Sequence, residues 1–184
     1  MTTEAVLVID MVNDFVTGAL ECERARRIIP PVKTLLDEAR AAGVPVIYVS
    51  DAHLAPDVEV GLWGEHAMKG TEGAEIIPEL PPGPSDFVLE KRTYSAFYDT
   101  GLDQLLRSLT IDTLYLTGLH THMCCRHTAA DAFVRGYHLV AVADGCDAFT
   151  KKEHEEGLDY LKNVYGATVQ SVTDIVAGWK TLAG

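Results

Sequence analysis

Basic residues are scarce in this chain: 15 lysines and arginines stand against 27 aspartates and glutamates, a formal charge of −12 over 184 residues. That balance excludes a nucleic-acid backbone or an anionic membrane surface as the main partner, since either would be repelled. No apolar run approaches the roughly 20 residues needed to span a bilayer. The N-terminal stretch has no signal-peptide pattern either, because Glu4 precedes a short apolar run and Asp10 closes it, so a cytoplasmic location is expected. Cysteine is limited to Cys22, Cys124, Cys125 and Cys146, and the adjacent pair forms no disulfide framework. No internal repeat or low-complexity tract is visible.

What is present is an ordinary globular composition, 47% hydrophobic and 23% charged, in a chain long enough for one domain with a substantial core, taken as residues 1–184. Strand-like and helix-like patterns alternate, the signature of a parallel α/β sheet. Strands are expected at 4–9, 44–50, 86–90, 111–117, 137–143 and 168–172, and helices at about 31–42, 100–109, 123–135, 152–164 and 173–182. Gly43, Gly136 and Gly166 fall where helices should stop. The expected fold is therefore α/β and doubly wound, a six-stranded, mostly parallel sheet with helices on both faces. The segment from Asp51 to Ser85 interrupts the rhythm, and a loop of that length in a compact domain is usually functional.

The stretch Thr117 to Ala132 places Cys124 at a strand-to-helix turn, where free helix N–H groups and the helix dipole can lower a thiol pKa and hold an oxyanion. Most free cysteines are merely small buried hydrophobes, so this alone does not make a nucleophile. Two distant strands add to it. The first ends in Asp10 and the third in Lys91, and in an open parallel sheet the carboxyl ends of strands face one crevice. An acid, a base and a thiol converge. In the long loop, Asp51-Ala52-His53 followed downstream by His66 offers carboxylate and imidazole to a divalent ion such as zinc.

Taken in order, these motifs resemble the isochorismatase-like cysteine hydrolases, the superfamily of nicotinamidases, N-carbamoylsarcosine amidases and isochorismatases. The matching residues are Asp10 with Asn13, Asp14 and Phe15; Lys91 with Arg92, Tyr94, Ser95, Ala96 and Phe97; Gly118 through Thr121 ahead of Cys124; and then Thr128 and Ala132. One position departs from the pattern: the residue after the reactive cysteine is usually aliphatic, and here it is Cys125.

The resemblance implies an Asp10, Lys91, Cys124 catalytic set and an oxyanion hole from the backbone N–H groups of His120 and Cys124, with a cis Leu119–His120 peptide. It implies a metal bound by Asp51, His53 and His66, with Glu59 near the position of an extra ligand and Asp57 as its nearest rival. Zinc is the expected occupant, with manganese or iron as alternatives. It also implies a substrate ring between Phe15 and Trp63, a small-molecule amide substrate, and a homo-oligomer, dimer or tetramer. The apolar run from Val172 to Leu182, with Trp179, is expected to face a partner subunit.

Three functions follow. The first is a nicotinamidase working through a Cys-acyl thioester. The second is a related amidase on an N-carbamoyl or other small amide, or an ether-cleaving isochorismatase. The third is a non-catalytic α/β scaffold, for which three converging strand-end groups are more than is needed.

Overall fold

A computed structural model describes residues 3–182. In chain order it contains β1 (Glu4–Ile9), α1 (Asn13–Val16), α2 (Ala25–Ala42), β2 (Val46–Asp51), α3 (Val58–Trp63), β3 (Phe87–Lys91), α4 (Leu102–Ser108), β4 (Thr113–Leu119), α5 (Cys124–Val134), β5 (His138–Asp147), α6 (Lys151–Tyr165), β6 (Thr168–Gln170) and α7 (Val172–Leu182), with one 3-10 turn at Glu72–Ala74. The strands form one six-stranded sheet in the order β3-β2-β1-β4-β5-β6. Every pairing is parallel, which sharpens the expectation of a mostly parallel sheet.

The burial of β1 shows why the sheet is covered on both faces. Residues Ala5 to Ile9 are all fully buried, as a strand sandwiched between helix layers must be. Val6 and Val8 pack with Leu35, Leu36 and Ile175, which belong to α2 and α7. Leu7 and Ile9 point to the opposite side and pack with Leu106, Ala129 and Leu161 of α4, α5 and α6. Strand order reverses between β1 and β4, so the crevice for a ligand opens beyond the carboxyl ends of that pair.

Three local expectations need correction. Helix α2 starts at Ala25, six residues before the expected start, and runs through Pro30 and Pro31. The buried stripe Ala25, Ile28, Val32, Leu35, Leu36 and Ala39 holds the helix onto the sheet despite the N–H donors missing at the two prolines. The 51–85 loop is also more ordered than its weak periodicity suggested. It contains α3 and the 3-10 turn, and bridges pair Val12 with Ile76 and His53 with Met68.

The third correction concerns α7. Its apolar face packs inside this chain: Val172, Ile175 and Trp179 are buried, Trp179 lies edge-on to Tyr115 at 5.3 Å, and its Nε1 donates to Glu4 Oε2 at 2.9 Å. That face is not available to a partner subunit; the side chain of Leu182 lies outside the described ones. Among the described residues no helix is long and apolar enough to cross a membrane.

Candidate active site and metal cluster

The site is built where β1, β2 and β3 end and α5 begins. Asp10 follows β1 in a left-handed conformation with φ 55°, uncommon for a residue with a side chain. From there its Oδ1 accepts the Asp51 backbone N–H at 2.9 Å, which ties the end of β1 to the end of β2. Lys91, fully buried at the end of β3, sits 2.8 Å from Asp10 Oδ2, 2.6 Å from Asp51 Oδ1 and 3.8 Å from Cys124 Sγ. The structure thus brings Asp10, Lys91 and Cys124 together as expected. It adds Asp51 as a second carboxylate on the same ammonium.

Three buried groups titrate abnormally. Burial, with Asp51 alongside, pushes Asp10 up to about 7 against the pull of Lys91. Burial also disfavours the Lys91 ammonium, yet Asp10 and Asp51 hold it charged well above the usual lysine range. For Cys124 the sequence suggested a lowered pKa. Burial instead drives the thiol well above its ordinary value, because the Lys91 charge is already shared between two carboxylates.

Cys124 opens α5, whose N-terminus has no side-chain cap, and the preceding Leu119–His120 peptide is cis. Cys125 is turned away. It is fully buried and packed in the core. All four cysteines are free and buried.

Beside this group lies a second cluster. One ligand-type atom from each of Asp51, His53, Glu59 and His66 falls within 4.8 Å of the others, and all four residues are buried. Each is oriented from behind. His66 Nδ1 lies 2.7 Å from the Gly64 carbonyl, an acceptor only, so Nδ1 carries the hydrogen and Nε2 is left with its lone pair. Glu59 Oε1 accepts the Tyr94 N–H at 3.0 Å, leaving Oε2 4.0 Å from His53 Nε2. His53 Nε2 is buried with no hydrogen-bond partner, 3.5 Å from Asp51 Oδ2. Asp57, the rival ligand, is not in the cluster. Its carboxylate pairs with Arg92, which holds it well below the usual carboxylate range.

These donors fit a divalent cation. Two imidazole nitrogens and two carboxylates converge on one point, an orphaned nitrogen faces it, and the negative charge exceeds what Lys91 neutralises. Although burial opposes it, the Asp51, Glu59 and Asp57 carboxylates raise the His53 pKa, as expected where the cluster lacks positive charge.

The cleft joining thiol and cluster is walled by Phe15, Trp63, Tyr94, His120 and Phe149. Phe15 meets His66 and His120 at 5.7 and 5.9 Å, His120 stacks on Phe149 at 4.1 Å, and Trp63 Nε1 donates to the Tyr94 hydroxyl at 3.0 Å. Phe15 and Trp63 therefore both line the cleft, as the sequence suggested. Its volume of about 20 Å³ is near that of one water, and Trp63 and Phe149, 39% and 37% exposed, are its partly exposed wall residues. A larger groove of about 780 Å³, lined by Leu54, Val58, Lys69 and Tyr98, lies across α3 but does not include the thiol.

The sequence reading missed two kinds of residue. Phe149 arrives from the loop after β5, with no local signal. Asp14 carried a motif signal but no assigned job: its carboxylate accepts from Ala19 N–H at 3.0 Å and from Ala67 N–H at 2.8 Å, pinning the loop beside His66.

The isochorismatase domain family matches residues 4–174. This chain belongs to the isochorismatase family. It is an enzyme, a hydrolase of that family. Among solved structures, N-carbamoylsarcosine amidase from Thermoplasma acidophilum is 43% identical, covers 93% of this chain and 97% of its own, and superposes with a TM-score of 0.88. Nicotinamidase 3 of Arabidopsis thaliana is 35% identical over 84% of this chain and 78% of its own length. The pyrazinamidase of Pyrococcus horikoshii in complex with zinc is 25% identical, covers 92% of this chain and 99% of its own, and has a TM-score of 0.86.

Proposed function

We propose that this isochorismatase-family hydrolase cleaves the C–N bond of a small planar amide through a thioester on Cys124, with nicotinamide as the lead substrate. The observation that carries the reading is the Lys91 ammonium touching Asp10, Asp51 and the Cys124 sulfur, with Asp51 shared by the metal-type cluster. Asp10 Oδ2 is buried and accepts no hydrogen bond of good geometry, although it is paired in charge with Lys91. It is the oxygen with spare capacity for the thiol proton, and a carboxyl near pH 7 is suited to both taking and returning one.

The chemistry then runs as follows. Asp10 takes the proton as Cys124 sulfur attacks the amide carbon. The backbone N–H groups of His120 and Cys124 receive the developing oxyanion, in a dry site where such bonds are strongest. Asp10 returns the proton to the departing nitrogen, ammonia leaves, and a thioester remains. Water, deprotonated by the same carboxylate, releases the acid and restores the thiol. Lys91 keeps Asp10 and Asp51 compatible as neighbours throughout. Asp51, His53, His66 and Glu59 would hold one divalent ion, zinc foremost and manganese or iron alternatively. When bound, such an ion would supply a Lewis-acidic anchor for a lone pair on the substrate. Phe15 and Trp63 flank the ring.

An N-carbamoyl substrate is the second reading. It is favoured by the 43% identity to N-carbamoylsarcosine amidase and by His120 Nε2, a buried, unpartnered polar atom on a residue of the cleft wall. Ammonia release from nicotinamide, pyrazinamide, N-carbamoylsarcosine and ureidoacrylate, with metal analysis of protein purified without chelator, tests both. Release from none of them by metal-loaded enzyme overturns the amidase reading, and full activity without metal overturns the cluster's role.

The free thiols suit a cytoplasmic setting. Association into a dimer or tetramer is supported by exposed Val58, Leu62 and Tyr98 near α3, and not by α7. A monomer by light scattering at micromolar concentration refutes it.

A further inference from the structure

We infer that Asp57, clamped by Arg92, fixes the tautomer and ring orientation of His53 and thereby sets the affinity of the four-residue cluster for its cation. The inference rests on the metal-site reading above.

Asp57 occupies the N-cap position of α3, where an aspartate ordinarily accepts a hydrogen bond from the first helical turn. It makes no such bond. Its carboxylate turns back instead: Oδ2 accepts the Leu54 N–H at 2.8 Å and lies 3.4 Å from His53 Nδ1. The turn is closed from the other side by Asp57 N–H donating to the Leu54 carbonyl at 2.9 Å. Arg92 Nε reaches both carboxylate oxygens, at 3.1 and 3.2 Å, and its Nη2 also engages Oδ1. A two-toothed guanidinium holds a carboxylate in one plane, which a single lysine contact does not.

A carboxylate can only accept, so its contact with His53 requires the hydrogen on Nδ1. The lone pair of the neutral ring is then on Nε2, the buried atom that has no protein partner and faces Asp51 and Glu59. The two histidines of the cluster differ in this respect. His66 is set by the backbone carbonyl of Gly64, which no substitution removes, whereas His53 depends on a side chain held by another side chain. Asp57 and Arg92 are therefore positioning residues, Asp57 in direct contact with His53 and Arg92 acting through Asp57.

The test is zinc affinity, measured by competition with a chromophoric chelator, for the wild-type chain, Asp57→Ala, Asp57→Asn and Arg92→Gln. Asp57→Ala should bind zinc 10- to 100-fold more weakly, on the order of other losses of an outer-shell partner. Asp57→Asn should recover much of this, since its amide oxygen can accept the same Nδ1–H, and Arg92→Gln should fall between. The ¹⁵N shifts of His53 in metal-free protein, at a pH where the ring is neutral, give a readout that a purely structural role would not move. They should report the Nδ1–H tautomer in wild type, a mixture in Asp57→Ala, and recovery in Asp57→Asn. Wild-type affinity or an unchanged tautomer in Asp57→Ala overturns the inference. A wild-type chain that takes up no zinc refutes the metal reading instead, and the tautomer measurement still decides the role of Asp57.

Discussion

Replacing Gly118 by alanine should damage stability and catalysis together, and Gly43 supplies the control that separates the causes. Both glycines have positive φ, 104° and 72°. A side chain in the left-handed region costs about 1–2 kcal/mol, so both substitutions carry that cost. Only one carries more. A Cβ at Gly43 meets nothing within 4 Å, whereas one at Gly118 would stand 1.9 Å from the Ile9 carbonyl oxygen and 2.9 Å from the Ile9 nitrogen. Those are backbone atoms of a central strand, paired in register with Gly118, and they cannot swing aside as a side chain does. Forcing atoms into a packed interior adds about 1–3 kcal/mol or more. At about 2–4 °C per kcal/mol for a chain of this size, Gly43→Ala should lower the melting temperature by about 5 °C and Gly118→Ala by about 10 °C. The clash also lies between the two halves of the site, since Asp10 follows Ile9 and the loop to Cys124 follows Gly118. A displacement of about 1 Å between reacting groups costs on the order of 100-fold in rate. Thermal melts and ammonia release on both variants decide the matter. Equal melting temperatures, or an active Gly118→Ala enzyme, would falsify the claim that this glycine is required by close approach of β1 to β4.

Further outcomes follow from the same geometry. Cys124→Ala should abolish turnover while Cys125→Ala keeps most of it and loses about 1 kcal/mol of stability for a buried sulfur, as seen by activity and denaturant melts; equal activity in the two variants refutes the assignment. Lys91→Met should leave Asp10 and Asp51 buried without their cation, costing about 3–5 kcal/mol and all measurable activity; a stable, active variant would contradict the shared-ammonium site. Although burial opposes it, Ser95 and Arg135 hold Asp131 below the usual carboxylate range. Its folded pKa is depressed, so its contribution is complete above the unfolded value of about 4 and is lost as pH falls through the folded pKa. Melting temperature followed from pH 5 to pH 2 should drop less steeply in Asp131→Asn, and parallel curves would remove the argument.

How much of this was legible in the chain depends on the range of the interaction involved. Strand β1 announced itself, because five consecutive buried residues bounded by Glu4 and Asp10 have only one use in an α/β pattern. So did the three strand-end groups, since an acid, a lysine and a cysteine after strands must meet once the strands are parallel. Helix α2 was half legible: Pro30 and Pro31 are local signals, and the buried stripe that overrides them is a tertiary one. The reversal of the Cys124 pKa was not legible at all. A helix N-terminus and a lysine at a strand end can be read from the sequence, but burial, and the division of one ammonium between Asp10 and Asp51, exist only in three dimensions.

The metal cluster shows the same limit from the other side. Asp51, His53 and His66 could be proposed because the side-chain types suffice. Choosing Glu59 over Asp57 could not be done by composition, as both are acidic, both lie in the loop and they are two residues apart. What separates them is Arg92, which follows a different strand: its guanidinium engages the Asp57 carboxylate, while the Tyr94 N–H turns Glu59 toward the imidazoles. The Lys91 to Tyr94 segment therefore does two jobs at once, supplying the buried ammonium and sorting two carboxylates between the proposed ligand set and its support. A change at Arg92 should consequently be felt first in cation affinity, before it is felt at the sulfur.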